Sequence, residues 1–406
     1  MNIKDFLEVI LMLKIIKNGL LYNPEYRGQK DIMLFNDKIV KIADCVNVPD
    51  KDFYQAEVID ATDQYIVPGF IDLHVHIAGG GGEGGYKTRT PEIKFSDIIA
   101  SGVTTLVGLL GTDGVTRSLQ NLLTKARALE EEGISTFIWT GCYEYPTRTI
   151  TKSAREDIML IDKIIGVGEV AISDHRGSHP VKKDIEGLVL ESRVGGMLSG
   201  KCGVLHLHVG DDKEGIKDLL DMADTSNILL SNLLPTHMNR NMHLLYQGKN
   251  YIKKGGFIDL TSGIYKTKED PISLDASYSY NYLIENGCNP SHITVSSDSN
   301  GSMPLFNNLG ELTGLAVGKI NTNLIEFRKM IQVYNLPLST SLLPFTSNPS
   351  TILHLKNKGF IEEGRDGDIL ILNKDLSLDY VIGKGNTLVQ HGHVVKFGYF
   401  EQGDMQ

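Results

Sequence analysis

GFIDLHVHIAGGGGEGG, residues 69–85, runs a short apolar segment into two histidines, then six glycines around one glutamate. In an extended strand, residues i and i+2 share a face. His74 and His76 are therefore expected on one side, with Leu73 and Val75 on the other. Two neutral imidazoles on one face are half of a metal site, or a hydrogen-bonded pair in a polar pocket. The glycines follow a strand but lead into YKTRTPEI, with no helix start and no Gly-Lys-Ser or Gly-Lys-Thr sequence, since Tyr86 stands between Gly85 and Lys87-Thr88. That rules against a phosphate-binding loop. Glycine allows close approach and unusual backbone angles. The loop is expected to wrap a small ligand with its main chain. Glu83 is then the one side chain able to bind a cation; the alternative is an acid facing solvent.

Outward from this stretch, apolar runs alternate with helix-like ones. TTLVGLLG precedes SLQNLLTKARALEEEG, and STFIWTGCYEYP precedes SAREDIMLIDKII. GEVAISDH, GVLHLHVG, FIDLTSG and HITVSSDSNG follow. Strands alternating with helices mean parallel β/α units. Eight units fit between residues 69 and 345, which predicts a (β/α)8 barrel, with a doubly wound sheet as the rival. Residues 12–68 and 346–400 are β-rich, punctuated by Gly, Asn, Asp and Pro. They predict one small β-sandwich built from both chain ends.

The chain has 406 residues, enough for a barrel of about 250 residues plus a second unit. Its net charge of −10 argues against a nucleic-acid partner. No apolar run reaches the roughly 20 residues that span a bilayer. The opening MNIKDFLEVILMLKIIKNG is interrupted by Asp5, Glu8 and Lys14 and has no small-residue cleavage site, so no signal peptide is expected. Met12 is an alternative start that would make residues 1–11 an extension. Cys45, Cys142, Cys202 and Cys288 lie far apart, as free thiols of a reducing cytoplasm would.

Further candidate ligands close the later strand-like runs: Glu169, His208, His237 and Asp298. A barrel assembles its active site at the C-terminal ends of its strands. His206 shares a strand face with His208 and competes with it; His208 lies nearer the loop. Carboxylate and imidazole suit zinc, with manganese, cobalt or iron as other occupants.

Together, GFIDLHVHIAGGGGEGG, TTLVGLLGTDG, AISDHRGS, HVGD, PTHMNRN, SSDSNGS and GFIEEGRDGDILIL resemble the isoaspartyl dipeptidase (β-aspartyl peptidase) family of the amidohydrolase superfamily. The resemblance runs from about residue 12 to 400. It implies two Zn²⁺ per chain held by His74, His76, Glu169, His208, His237 and Asp298. Glu169 and a hydroxide would bridge the ions. Many relatives carry a carboxylated lysine where this chain has Glu169; a site with one metal or none is the alternative. The resemblance implies a small dipeptide substrate joined through the aspartate side chain. Glu83 would hold its ammonium, and Arg176 and Arg240, whose forks match carboxylates, its two carboxylates. Ser302 would contact a substrate carboxylate. Tyr143 would polarise the scissile carbonyl, with Tyr145 as local rival, and Gly81 and Thr112 would touch substrate. Asp298 would shuttle the proton. The products would be aspartate and a second amino acid, in salvage of isoaspartyl dipeptides. A homo-oligomer is also implied, an octamer among the options. A cyclic-amide hydrolase and a non-catalytic, assembly-forming relative are the rival functions.

Overall fold

The computed structural model describes residues 13–49, 56–264, 273–306 and 312–401. Residues 1–11, expected as an extension, and the alternative start Met12 lie outside the described residues.

The chain opens with β1 (Leu13–Tyr22), β2 (Tyr26–Phe35), β3 (Lys38–Ala43), β4 (Ala56–Asp60) and β5 (Tyr65–Pro68). Short turns join the first three. Asn36 takes the left-handed conformation (φ 53°) between β2 and β3, which asparagine tolerates well.

Eight strand–helix pairs follow. They are β6 (Phe70–Val75) with α1 (Phe95–Ile99), β7 (Val103–Gly108) with α2 (Leu119–Glu132), and β8 (Ser135–Thr140) with α3 (Ala154–Leu160). Next come β9 (Ile164–Ile172) with α4 (Lys182–Ser199), β10 (Val204–Val209) with α5 (Lys217–Thr225), and β11 (Leu233–Thr236) with α6 (Met242–Lys253). The last are β12 (Ile258–Thr261) with α7 (Ala276–Glu285), and β13 (Ile293–Ser296). A hairpin of β14 (Ser302–Phe306) and β15 (Leu312–Val317) separates β13 from α8 (Thr322–Gln332). α9 (Leu338–Leu342), α10 (Ser347–Ile352), β16 (Ile369–Leu372), β17 (Leu378–Gly383), β18 (Asn386–Gln390) and β19 (His393–Val394) complete the chain.

The helices are the expected amphipathic kind. α2 buries Leu119, Leu122, Ala126 and Leu129, spaced at three and four residues. Ser118 caps its first turn by accepting from Asn121 N, and Gly133 ends it at φ 129°. One stretch departs from the reading. SAREDIMLIDKII looked helical throughout, but α3 stops at Leu160 and Ile164 already begins β9. Only Asp162 and Lys163 separate the apolar residues of the helix from those of the strand, and periodicity cannot mark so short a boundary.

β6 to β11 form a six-stranded parallel sheet in sequence order, and β12 pairs with β13 in parallel. β11 packs beside β12, and β13 beside β6. Val75 also makes a parallel bridge to Ser299, just beyond β13. The strands of both chain ends form a separate nine-stranded sheet, ordered β19-β18-β17-β16-β5-β1-β2-β3 with β4 on β1. Ile16, Ile32, Leu34 and Ile66 from the first end share one buried cluster with Ile369, Ile371 and Ile382 from the last. The junction between the ends is therefore apolar burial as well as hydrogen bonding. α10 packs instead against β6 and β13.

Candidate metal centre

Where the first and last parallel strands meet, main chain and side chain lock them together. His76 N donates to Ser299 O (2.9 Å) and Asp298 N to His74 O (3.1 Å). The buried Asp72 carboxylate accepts from His74 N, Ser297 N and Asn323 Nδ2 at 3.0–3.3 Å. These bonds bring His74, His76 and Asp298 into one place. The pairing of β6 with β7 shifts register between Asp72 and Val75, so the two imidazoles converge across an irregularity, not along a regular strand. His237 (φ 63°), one residue beyond β11, and Asp298 (φ 54°), two beyond β13, both adopt left-handed backbone. Glu169 sits inside β9, three residues before its end, and not at the terminus as its sequence context suggested.

Glu169 lies at the middle of the cluster. Its Oε1 is 3.5 Å from His74 Nε2 and 3.5 Å from His76 Nε2. Its Oε2 is 3.0 Å from His208 Nδ1 and 3.6 Å from His237 Nε2. Asp298 Oδ1 adds contacts of 3.3 Å to His74 Nε2 and 3.1 Å to His76 Nε2. Burial alone would raise the Glu169 pKa, but His74, His208 and His237 outweigh it and hold the carboxyl well below its usual range. Burial, reinforced by His208, drives His237 down to about 3.

The donor set fits divalent metal. Ligand atoms about 2.0–2.2 Å from a tetrahedral ion stand about 3.3–3.6 Å from each other, close to the spacings found here. Most are long for hydrogen bonds, and His74 Nε2, at the centre of the cluster, has no hydrogen-bond partner at all. Among the described residues, three ligand groups satisfy the geometry: His74–His76–Glu169, His74–His237–Asp298 and Glu169–His208–His237.

Around the cluster stand the other candidates. The Tyr143 hydroxyl is buried 2.7 Å from His208 Nδ1, while Tyr145 turns away towards Asp184. Burial, then the charge of Glu169, pushes the Tyr143 phenol well above its ordinary pKa, so it keeps its proton. The Arg176 guanidinium lies over the Tyr143 ring at 5.5 Å. Arg240 donates Nε–H to Val209 O (3.0 Å), and its Nη1 lies 3.7 Å from Asp211 Oδ2. Glu83 Oε1 accepts from Thr112 Oγ1 and its Oε2 from Ser302 Oγ, both at 2.9 Å, with Arg176 Nη1 at 3.7 Å. The glycine loop bends back on itself through a bridge between Gly81 and Arg89. Gly81 has φ 71°, and a Cβ there would meet Thr88 O at 2.5 Å, so no other residue fits the bend.

His206 does not compete with His208 for the cluster; it packs behind His74. The sequence reading missed Asp174, which accepts from Arg176 and contacts His208 Nε2 at 2.9 Å. It missed Arg117, whose guanidinium donates to Gly80 O and Thr90 O and so props the glycine loop. Asp174 stood in plain view beside Arg176; nothing local marks Arg117.

No family model matches the chain. Among solved structures, the β-aspartyl dipeptidase of Fervidobacterium islandicum AW-1 in complex with β-Asp-Leu superposes with a TM-score of 0.89. It is 44% identical, over 96% of this chain and 99% of that one. The chain belongs to the β-aspartyl dipeptidase family. A second structure of the Fervidobacterium enzyme gives 42% identity and a TM-score of 0.86. Curated relatives include the dihydroorotase of Aquifex aeolicus, 31% identical over 215 residues. That match covers 50% of this chain and 46% of the relative, so the chain spans about half the length of the curated relative. The dihydropyrimidinase of Brevibacillus agri NCHU1002, 16% identical with a TM-score of 0.65, shares the fold.

Proposed function

We propose that this chain is a metal-dependent hydrolase that cleaves β-aspartyl dipeptides into aspartate and a second amino acid. One observation carries the reading: the two Glu169 oxygens divide four imidazoles into two pairs, with Asp298 closing the first. That division suits two divalent ions, zinc first among them, with Glu169 shared between the pairs. Such ions lower the pKa of water to about 7 and so make hydroxide available at neutral pH.

The chain's own groups do the rest. Asp298 accepts the proton of the attacking water and returns it to the leaving amine as the amide C–N bond breaks. Tyr143, kept protonated, donates to the oxygen that gains charge in the tetrahedral state. Glu83 holds the free ammonium of the substrate. Arg176 and Arg240 take its two carboxylates, and Ser302, Thr112 and Gly81 line the same mouth.

Eight parallel strands each lead to a helix, and β13 returns to β6, which supports a complete (β/α)8 barrel spanning 69–345. The sheet shared by 12–68 and 346–400 supports a small discontinuous β-sandwich domain. Free, unpaired cysteines support a cytoplasmic location, and family membership supports a homo-oligomer, an octamer among the options. Among the described residues, no helix is long and apolar enough to cross a membrane.

The dihydroorotase relatives favour a cyclic-amide hydrolase as second reading. A cyclic amide has no free ammonium for Glu83. Metal-loaded protein assayed on β-Asp-Leu, α-Asp-Leu and dihydroorotate separates the two. Turnover of β-Asp-Leu alone is expected; turnover of dihydroorotate alone overturns the assignment.

A further inference from the structure

We propose that His206 is a positioning residue that fixes the tautomer of His74, so that His74 presents a bare Nε2 to the metal centre. This rests on the metal reading above and goes beyond it.

His206 is fully buried on β10. Its ring stacks on Trp139, with centroids 5.3 Å apart and planes 20° apart. Trp139 is itself held by a bond from Nε1 to Leu73 O (3.0 Å). The His206 ring therefore has little freedom to turn. Its Nδ1 lies 3.1 Å from Leu234 O, and its Nε2 lies 2.8 Å from His74 Nδ1.

The partners assign the protons. A carbonyl oxygen only accepts, so His206 Nδ1 carries hydrogen. In the neutral ring Nε2 is then bare, and it accepts from His74 Nδ1–H. His74 has spent its one N–H, and its Nε2 is left as a lone pair. That atom faces Glu169 Oε1 at 3.5 Å and Asp298 Oδ1 at 3.3 Å and has no hydrogen-bond partner. A ligand histidine commonly gives its outer N–H to a carbonyl or carboxylate, which fixes ring and tautomer. Here a second imidazole relays the same instruction from the Leu234 carbonyl. The other histidines use different partners: His237 Nδ1 meets Thr261 Oγ1 at 2.7 Å, and His208 Nε2 meets Asp174. His206 is thus dedicated to the His74 side of the centre.

The test compares the wild type with His206→Phe, which keeps an aromatic ring against Trp139 but cannot accept, and His206→Gln, whose amide oxygen can. Each metal-stripped full-length chain is titrated with Zn²⁺ against a competing chelator. The wild type should take up two ions. In His206→Phe one of the two should bind about 10–100-fold more weakly, and His206→Gln should recover most of that loss. If His206→Phe holds both ions as tightly as the wild type, or His206→Gln is as weak as Phe, the proposal fails while the metal reading stands. A wild-type chain that takes up no metal overturns both. Because a core substitution can unfold the chain, ¹⁵N-histidine NMR of the Zn²⁺-loaded wild type gives a readout without mutation. His74 and His206 should both carry their hydrogen on Nδ1, and a His74 without an Nδ1–H overturns the proposal.

Discussion

Asp174 grips Arg176 with both oxygens: Oδ1 accepts from Nε at 3.0 Å and Oδ2 from Nη2 at 2.7 Å. The same Oδ2 lies 2.9 Å from His208 Nε2. One carboxylate thus orients the Arg176 guanidinium and a candidate metal ligand together. The fork geometry is bidentate, so it fixes direction as well as charge.

Asp174→Asn should therefore harm catalysis without touching substrate or metal directly. An amide retains one acceptor and sets an N–H₂ against donors. Losing a hydrogen bond to a charged group costs about 1.5–3 kcal/mol, so kcat/KM for β-Asp-Leu should fall about 10–100-fold. Steady-state kinetics on the variant decide it, and an unchanged kcat/KM removes Asp174 from the site.

Glu83→Gln should act on recognition. One of Thr112 and Ser302 can still donate to the amide oxygen while the other hydroxyl accepts from the amide N–H₂, so the loop should keep its shape. The charge facing the ammonium is gone. KM for β-Asp-Leu should rise about 10-fold or more, while preference over the N-acetylated dipeptide collapses. Comparing both substrates on both proteins checks this; retained preference means that Glu83 does not read the ammonium.

Much of this site was legible because metal chemistry restricts residue type. His74, His76, His208, His237 and Asp298 all stand at or near strand ends, where the β/α reading expects ligands. Glu169 was found by the same reading, although it lies deeper in its strand. What escaped was whatever depends on the third dimension. His206 and His208 are alike in sequence, and only the position of His74 and Trp139 separates them. Arg117 reaches the glycine loop from 37 residues away. The β14–β15 hairpin, which brings Ser302 to Glu83, was hidden because its strands follow β13 without a helix between. The end of α3 was hidden because only Asp162 and Lys163 part its apolar residues from those of β9.

The small sheet offers a stability test with a defined pH window. Lys358 is buried with its Nζ 2.6 Å from Asp366 Oδ2 and 2.6 Å from Asp368 Oδ2. Burial alone would lower its pKa, but the two carboxylates outweigh it and hold it above its ordinary 10.5. This contribution is full below 10.5 and is lost as pH rises through the folded value. Burial alone would raise Asp366, but Lys358 and Lys38 outweigh it and hold it below 3.8. That contribution is full above 3.8 and is lost as pH falls through the folded value. Lys358→Met leaves Asp368 buried without its cation and Asp366 with Lys38 alone, and should cost about 3–5 kcal/mol. Denaturant unfolding should show the deficit as flat between those limits and smaller beyond them. A deficit that grows outside the window contradicts the ion-pair account.

Asp298→Asn should separate binding from turnover. The amide oxygen can still face His74 and His76, so metal should remain, but it cannot carry a proton. kcat should fall by about 10²–10⁴, the usual worth of acid–base catalysis. Metal analysis alongside kcat checks both halves. Near-normal turnover in a metal-replete variant takes the proton shuttle away from Asp298.

Glu169 gives the sharpest test, because its carboxylate is present from synthesis onward. A carboxylated lysine must first be built from CO₂; a glutamate needs none. Stripping metal with a chelator should abolish β-aspartyl dipeptide hydrolysis, and Zn²⁺ should restore it. Recovery should be equal in CO₂-depleted and bicarbonate-supplemented buffer. Glu169→Ala should lose the metal pair, since four imidazoles and one remaining carboxylate would face two cations in a buried site that screens their repulsion poorly. Bound metal per chain and activity, measured for both proteins under both conditions, settle the matter. A bicarbonate requirement, or a Glu169→Ala variant that holds two ions and works normally, would transfer the bridging role to another residue.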